Sequence, residues 1–333
     1  MGIVSENTFI ILLQIVIGVI GLGGGAEIIV RSSISLANIY KVSAAFIGFT
    51  IIALGTSLPE LAATIQALEQ VNSVEIALGN IIGSNIANIL LILGIVGYYH
   101  EIIFPKKDLN NKNMYSVIIF TIIAFIFYVL TNEGNSYTPI FALLLLVLLF
   151  AYLLLQYYWE KKAIGSVIDV YDYSHLKSYI YLIIGLVLLY YGSQHFIIGS
   201  NSIADKLGIK DTIIGLTLVA LGTSLPELAT GIVAARKQQT GIAVGTILGS
   251  NVYNIIGIFA IIVLISPDTF PKDNMPLIVN GVIMLLVTLL FFFKVRIGIP
   301  ALGMQPHKIG KNTARLFLSL YALFILFNYF LNQ

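Results

Sequence analysis

The sequence predicts an all-α polytopic membrane protein: ten transmembrane helices, arranged as two inverted five-helix repeats with both termini outside. Three observations carry that prediction. Of 333 residues, 58% are hydrophobic and only 10% charged, and the mean hydropathy is +0.95. A soluble domain carries about 25% charged residues. Apolar runs of about 20 residues, the length that crosses a bilayer as a helix, follow one another along nearly the whole chain. Lastly, the phrase at 53–62, Ala-Leu-Gly-Thr-Ser-Leu-Pro-Glu-Leu-Ala, returns unchanged at 220–229.

Ten apolar segments are expected, at 9–38, 42–67, 74–98, 115–131, 138–160, 178–206, 209–236, 242–265, 274–294 and 314–331. No Lys or Arg precedes the first, so a retained helix is expected there rather than a cleaved signal. Segments one and six are long and cross at a tilt. Segments two and seven carry Pro59 and Pro226. A proline inside a helix removes a backbone hydrogen bond, so both segments should break near mid-membrane and free carbonyls near Ala53 and Ala220. In a membrane such irregular backbone is tolerated only where it lines protein or a hydrated cavity.

Segments three and eight hold a second repeated phrase, Gly-Asn-Ile-Ile-Gly-Ser-Asn-Ile-Ala-Asn at 79–88 against Gly-Thr-Ile-Leu-Gly-Ser-Asn-Val-Tyr-Asn at 245–254. Its small residues allow close helix packing and its polar ones supply oxygens.

The polar connection at 161–177 separates two halves, expected as a first five-helix repeat at 1–160 and a second at 178–333. Gly48, Thr50 and Gly55 match Gly215, Thr217 and Gly222. Ser84 and Asn88 match Ser250 and Asn254. An odd number of spans per copy forces opposite orientations, the architecture of many secondary transporters. With the N-terminus outside, 15 of the 18 basic residues fall on inside connections and three (Lys206, Lys210 and Lys272) outside. That is the asymmetry the positive-inside rule demands.

Carboxylates at membrane depth are costly and usually functional. Glu60 and Glu227 have no Lys or Arg nearby in their own segments. Around them cluster Thr56, Ser57, Thr223 and Ser224, with Thr56 and Glu60 expected on one helical face. Ser84, Asn88, Ser250 and Asn254 add hydroxyl and amide oxygens. Carboxylate, hydroxyl, amide and backbone carbonyl make a donor set for hard cations such as Ca²⁺ or Na⁺. The chain has no cysteine, which removes disulfides and thiolate metal sites. Simpler readings attach to other polar residues. Glu27 pairs with Arg31 one turn on, His195 packs as a neutral ring, and Asn85 and Asn251 cap or pack. The Ser and Thr hydroxyls could also serve as helix-to-helix glue.

The two Gly-Thr-Ser-Leu-Pro-Glu phrases resemble the alpha-repeats of the sodium/calcium exchanger family, in the calcium/cation antiporter superfamily, and the resemblance covers both halves. It implies ten helices in two inverted halves, and alternating access in which helices one and six slide against the other eight. It implies Ca²⁺ ligands at Glu60, Glu227, Thr56 and Thr223. Sodium sites would add the carbonyls of Ala53 and Ala220 and the hydroxyls of Ser57, Ser84, Ser224 and Ser250, with Asn88 and Asn254 flanking the centre. The potassium-dependent branch carries Asp where this chain has Asn254, so the resemblance implies potassium-independent exchange. The large regulatory insertion of animal exchangers has no counterpart in the short 161–177 connection.

The function expected is a secondary antiporter exchanging Ca²⁺ for Na⁺, electrogenic if more than two Na⁺ move per Ca²⁺, in a prokaryotic plasma membrane. No enzyme chemistry, cofactor, nucleic-acid partner or obligatory protein partner is expected. The transport alternative is proton-coupled Ca²⁺ or cation exchange. The family's proton-coupled branch carries Gly-Asn-x-x-Glu in place of the phrase found here. Protons compete with metal ions for the same carboxylate oxygens, so pH dependence alone does not separate the two. An ion channel is a further alternative, though mid-membrane sites shared by inverted repeats suit alternating access better than an open pore.

Overall fold

The computed structural model describes residues 8–69, 73–104, 109–131, 138–162, 173–206, 220–266 and 274–331. Helix α1 covers Thr8–Tyr40. Helix α2 spans 44–56 and α3 Leu58–Glu69, with α4 at Val74–Tyr99. Helices α5 and α6 are Leu109–Thr131 and Thr138–Lys162. The second half holds α7, His175–Lys206, then the short α8, Ala220–Thr223, and α9, Leu225–Arg236. Helices α10, Thr240–Ile265, α11, Met275–Arg296, and α12, Lys311–Leu331, complete it.

Among the described residues, eight spans are long and apolar enough to cross a membrane. The fourth expected segment survives as a shorter apolar stretch, Lys112–Phe127, within α5. Part of the seventh, 209–219, lies outside the described residues, as do Gly215 and Thr217 of the repeat match, Lys210 and Lys272 of the outside charges, and 163–172 of the connection between halves. Apolar surface faces outward on α1 and α6, at Phe9, Val147 and Phe150 for example, as a lipid solvent requires. Helices α4 and α10 are instead buried along most of their length.

Helices α1 and α7 run antiparallel. As residue numbers rise along α1 they fall along its partner. Gln14 meets His195, Gly21 meets Gly192, Gly25 meets Gly185, and Ser178 donates to Ser35 Oγ at 3.0 Å. Glycines let the two backbones touch. A Cβ placed on Gly192 would lie 2.7 Å from the backbone nitrogen of Leu22. Gly18 and Gly25 correspond by the repeat offset to Gly185 and Gly192. The crossing therefore joins equivalent parts of the two copies, head against tail.

The proline breaks occur where the sequence places them. Ser57 leaves helical geometry (φ −81°, ψ 2°) between α2 and α3, and Ser224 does the same (φ −89°, ψ 6°) between α8 and α9. Pro59 and Pro226 then occupy the first turn of the following helix, where no N–H is needed. Among the described residues, three widened π turns have no sequence signature: Gly48–Ile52 in α2, Asn88–Ile92 in α4 and Tyr253–Ile258 in α10. Such turns are common at functional sites, and Asn88 and Asn254 each lie in one.

A two-stranded antiparallel pair, β1 (Ile102–Ile103) with β2 (Lys308–Ile309), ties the end of α4 to the start of α12. The buried Lys294 secures the loop before β2 by donating to the carbonyls of Gln305, at 3.1 Å, and Lys308.

Candidate functional site

The breaks at Ser57 and Ser224 and the buried middles of α4 and α10 bring the two repeated phrases together. Thr56, Ser57, Glu60, Ser84, Asn88, Thr223, Ser224, Glu227, Ser250 and Asn254 are all buried, as is Ala53. One chain of hydrogen bonds starts on α4. Asn88 Nδ2 and Ser57 Oγ both donate to Ser250 Oγ, at 3.3 and 2.9 Å, and the Ser250 hydroxyl in turn donates to Glu227 Oε1 at 3.1 Å. In the other copy Ser224 donates to Glu60 Oε1 at 3.3 Å, and Ser84 Oγ lies 3.4 Å from Thr223 Oγ1. Most of these contacts join one half of the chain to the other. The hydroxyls do serve as helix-to-helix contacts, and they do so around the acids.

Each carboxylate has one oxygen engaged and one, Oε2, buried without a hydrogen-bond partner. Asn88 Oδ1 and Asn254 Oδ1 are also buried and unpaired. All four atoms are oxygens. Among the described residues, neither Glu60 nor Glu227 forms an ion pair with Lys, Arg or His. A buried carboxylate without a counter-charge costs several kcal/mol, and a buried acceptor left unbonded costs about 1–3 kcal/mol. The unpaired oxygens of the two acids and of Asn88 and Asn254 together make a set of four with the chemistry to hold a cation. No sulfur or imidazole belongs to the set, which suits hard ions.

Two sequence expectations change. Ala53 O is not freed by the break, because it accepts the Ser57 N–H at 3.0 Å and the Thr56 hydroxyl at 3.3 Å. The carbonyl four residues before a proline is the one that loses its donor, and here that is Gly55 and Gly222. Gly222 O accepts the Ser193 hydroxyl from α7 at 2.6 Å. With two donors on it, Ala53 O offers a lone pair to an ion only when the Thr56 hydroxyl turns away. Nor do Thr56 and Glu60 share one unbroken helical face, since non-helical Ser57 places them on α2 and α3. The backbone of Ala220 opens α8, as its counterpart Ala53 lies in α2.

Sequence reasoning assigned no role to Asn80 and only capping or packing to Asn85 and Asn251; the structure gives all three specific side-chain partners. Asn80 Nδ2 donates to Glu60 O at 3.3 Å, and its Oδ1 accepts from Thr223 at 3.4 Å. Its counterpart Thr246 is buried with no partner for its hydroxyl, so the cage is asymmetric here. Asn85 and Asn251 bond to the asparagines of the opposite copy: Asn88 Nδ2 donates to Asn251 Oδ1 at 2.9 Å and Asn254 Nδ2 to Asn85 Oδ1 at 3.2 Å. The only signal available was their place in the repeated Gly-Ser-Asn triplet.

Outside the cage, Glu27 pairs with Arg31 at 2.6 Å as expected, and also with Lys237, beyond α9, at 2.7 Å. His195 packs against Gln14 through Nδ1.

A family model described as sodium/calcium exchanger protein matches residues 10–158 and 177–330. An uncharacterised membrane protein of Methanocaldococcus jannaschii, MJ0091, is 34% identical over 93% of this chain and 95% of its own. The sodium/calcium exchanger MaX1 of Methanosarcina acetivorans is 29% identical over 89% of this chain and 93% of its own. A solved structure of the sodium-calcium exchanger NCX_Mj, soaked with Na⁺ and Ca²⁺, superposes with a TM-score of 0.76 at 32% identity. It covers 98% of this chain and 99% of that one.

Proposed function

The chain belongs to the sodium/calcium exchanger family, a family of transporters rather than enzymes, and on that premise we propose that it exchanges Ca²⁺ for Na⁺ across a prokaryotic plasma membrane. The observation that carries this reading is the pair of buried carboxylates, Glu60 and Glu227, with no counter-charge among the described residues and accompanied by the unpaired oxygens of Asn88 and Asn254. Two negative charges balance one Ca²⁺, whose flexible coordination takes roughly six to eight oxygens. The hydroxyls of Thr56, Thr223, Ser57, Ser224, Ser84 and Ser250 and the carbonyls of Ala53 and Ala220 complete the ligand set. Several Na⁺ ions drawing on the same oxygens exclude Ca²⁺, and this competition is the physical basis of exchange.

The antiparallel crossing of α1 and α7 supports inverted copies at 1–160 and 178–333, joined by an inside connection at 161–177. In this reading both termini lie outside, and α1 and α7 slide against the rest to open the site to each side in turn. More than two Na⁺ per Ca²⁺ makes the cycle electrogenic and sensitive to membrane potential. Asn254 contributes oxygen without charge, which fits exchange that does not require K⁺.

The test is ⁴⁵Ca²⁺ uptake into proteoliposomes loaded with Na⁺, K⁺ or acid alone. Uptake with internal Na⁺ and no K⁺ is the expected result. Uptake driven only by a proton gradient would replace this reading with proton-coupled exchange.

A further inference from the structure

We propose that Asn85 and Asn251 are positioning residues: each fixes the side chain of an asparagine in the opposite copy so that its oxygen, not its amino group, faces the ions. This inference rests on the cation site proposed above. An asparagine amide has two near-isosteric ends, one an acceptor and one a double donor. Next to a cation only the oxygen is useful, and an NH₂ pointing inward would repel the ion. An asparagine in an ion cage therefore needs something to decide which way it points.

The hydrogen bonds supply that decision in steps. Asn251 Nδ2 donates to the backbone carbonyl of Asn85 at 3.4 Å, which turns Asn251 Oδ1 the other way. That oxygen receives Asn88 Nδ2 at 2.9 Å, and Ser250 Oγ receives the same amino group at 3.3 Å. With its amino group held between two acceptors, Asn88 leaves Oδ1 buried and unpaired. The other copy orients its asparagine in the same sense, with a weaker anchor and one acceptor. Asn85 Nδ2 is directed at Met284 Sδ, 3.7 Å away, so Asn85 Oδ1 is left to accept Asn254 Nδ2 at 3.2 Å. Asn254 Oδ1 is then buried and unpaired as well. Each copy thus orients a ligand of the other. The two halves are coupled through uncharged amides as well as through the shared acids. The same device explains how asparagine serves at 254: its orientation is fixed, so it supplies an oxygen without a third negative charge.

A double-mutant cycle on the full-length purified protein tests this, read as ⁴⁵Ca²⁺ binding with ²²Na⁺ as second probe. N251L removes the acceptor and lets Asn88 turn over, which should weaken Ca²⁺ binding about tenfold, the usual cost of losing an outer partner of a metal ligand. N88D presents an oxygen in either orientation. In the N88D background, N251L should change affinity by no more than about twofold. An equal loss in both backgrounds would mean that Asn251 only packs, and no loss in either would mean that it does not matter; both overturn the proposal. Should leucine at 251 prevent folding, N85L with N254D reads the same coupling through the other copy. Wild-type protein that binds Ca²⁺ but fails to exchange it for Na⁺ would refute the exchange function and leave the cycle readable. Wild-type protein that binds neither ion would overturn both.

Discussion

Glu60 and Glu227 each give one oxygen to a serine and keep the other unbonded in a fully buried setting. In the proposed site a bound cation counters their charges, so removing one acid should weaken the ion more than the fold. Breaking a buried charge pair by deleting one partner costs about 3–5 kcal/mol, or at least about a hundredfold in affinity. E60Q and E227Q should each abolish Ca²⁺ transport while eluting as folded protein on size exclusion; near-normal flux in either would mean the site lies elsewhere. N254D adds a third carboxylate, which must be neutralised by a cation or a proton. It should shift the ion dependence or the pH sensitivity of transport with little change in thermal stability, read from paired flux and melting curves. The acids and hydroxyls were legible because they recur in a repeated phrase and belong to residue types that are costly or unusual in lipid. The roles of Asn85 and Asn251 were not legible. Which way an amide points depends on contacts made across the two halves, which a linear sequence does not display.

Among the helices, the breaks before Pro59 and Pro226 could be read directly, since proline acts through its own ring. Their consequences could not. The Gly222 carbonyl is taken up by Ser193 of α7, whereas the position equivalent to Ser193 in the first copy is Ala26, so the two breaks are held differently. The π turns at Asn88 and Tyr253 carry no residue signature. The glycines of the α1–α7 crossing permit a direct comparison. A Cβ on Gly192 meets the backbone at 2.7 Å, while one on Gly24 of α1 meets nothing within 4 Å. G192A should lower stability by about 1–3 kcal/mol through overpacking. G24A should be neutral or stabilising by up to about 1 kcal/mol. Thermal unfolding in detergent measures both, and equal effects would contradict the crossing.

At the scale of the whole chain, composition gave a multi-span helical membrane protein and the resemblance of the repeated phrases gave the family, and the superposition on NCX_Mj agrees. Less legible were the contacts that join distant segments, such as the Ile102–Ile309 pairing and the Glu27–Lys237 bridge, because neither has a local pattern. The central claim is that one cation site is divided between two copies: Glu60 and Asn88 from the first, Glu227 and Asn254 from the second. Crystals grown without Na⁺ and soaked in Ca²⁺ test it through anomalous diffraction. A strong peak is expected within the Ca²⁺–oxygen range of about 2.3–2.6 Å from carboxylate oxygens of both Glu60 and Glu227. Ca²⁺ bound by the residues of one copy alone, or away from both acids, would contradict it.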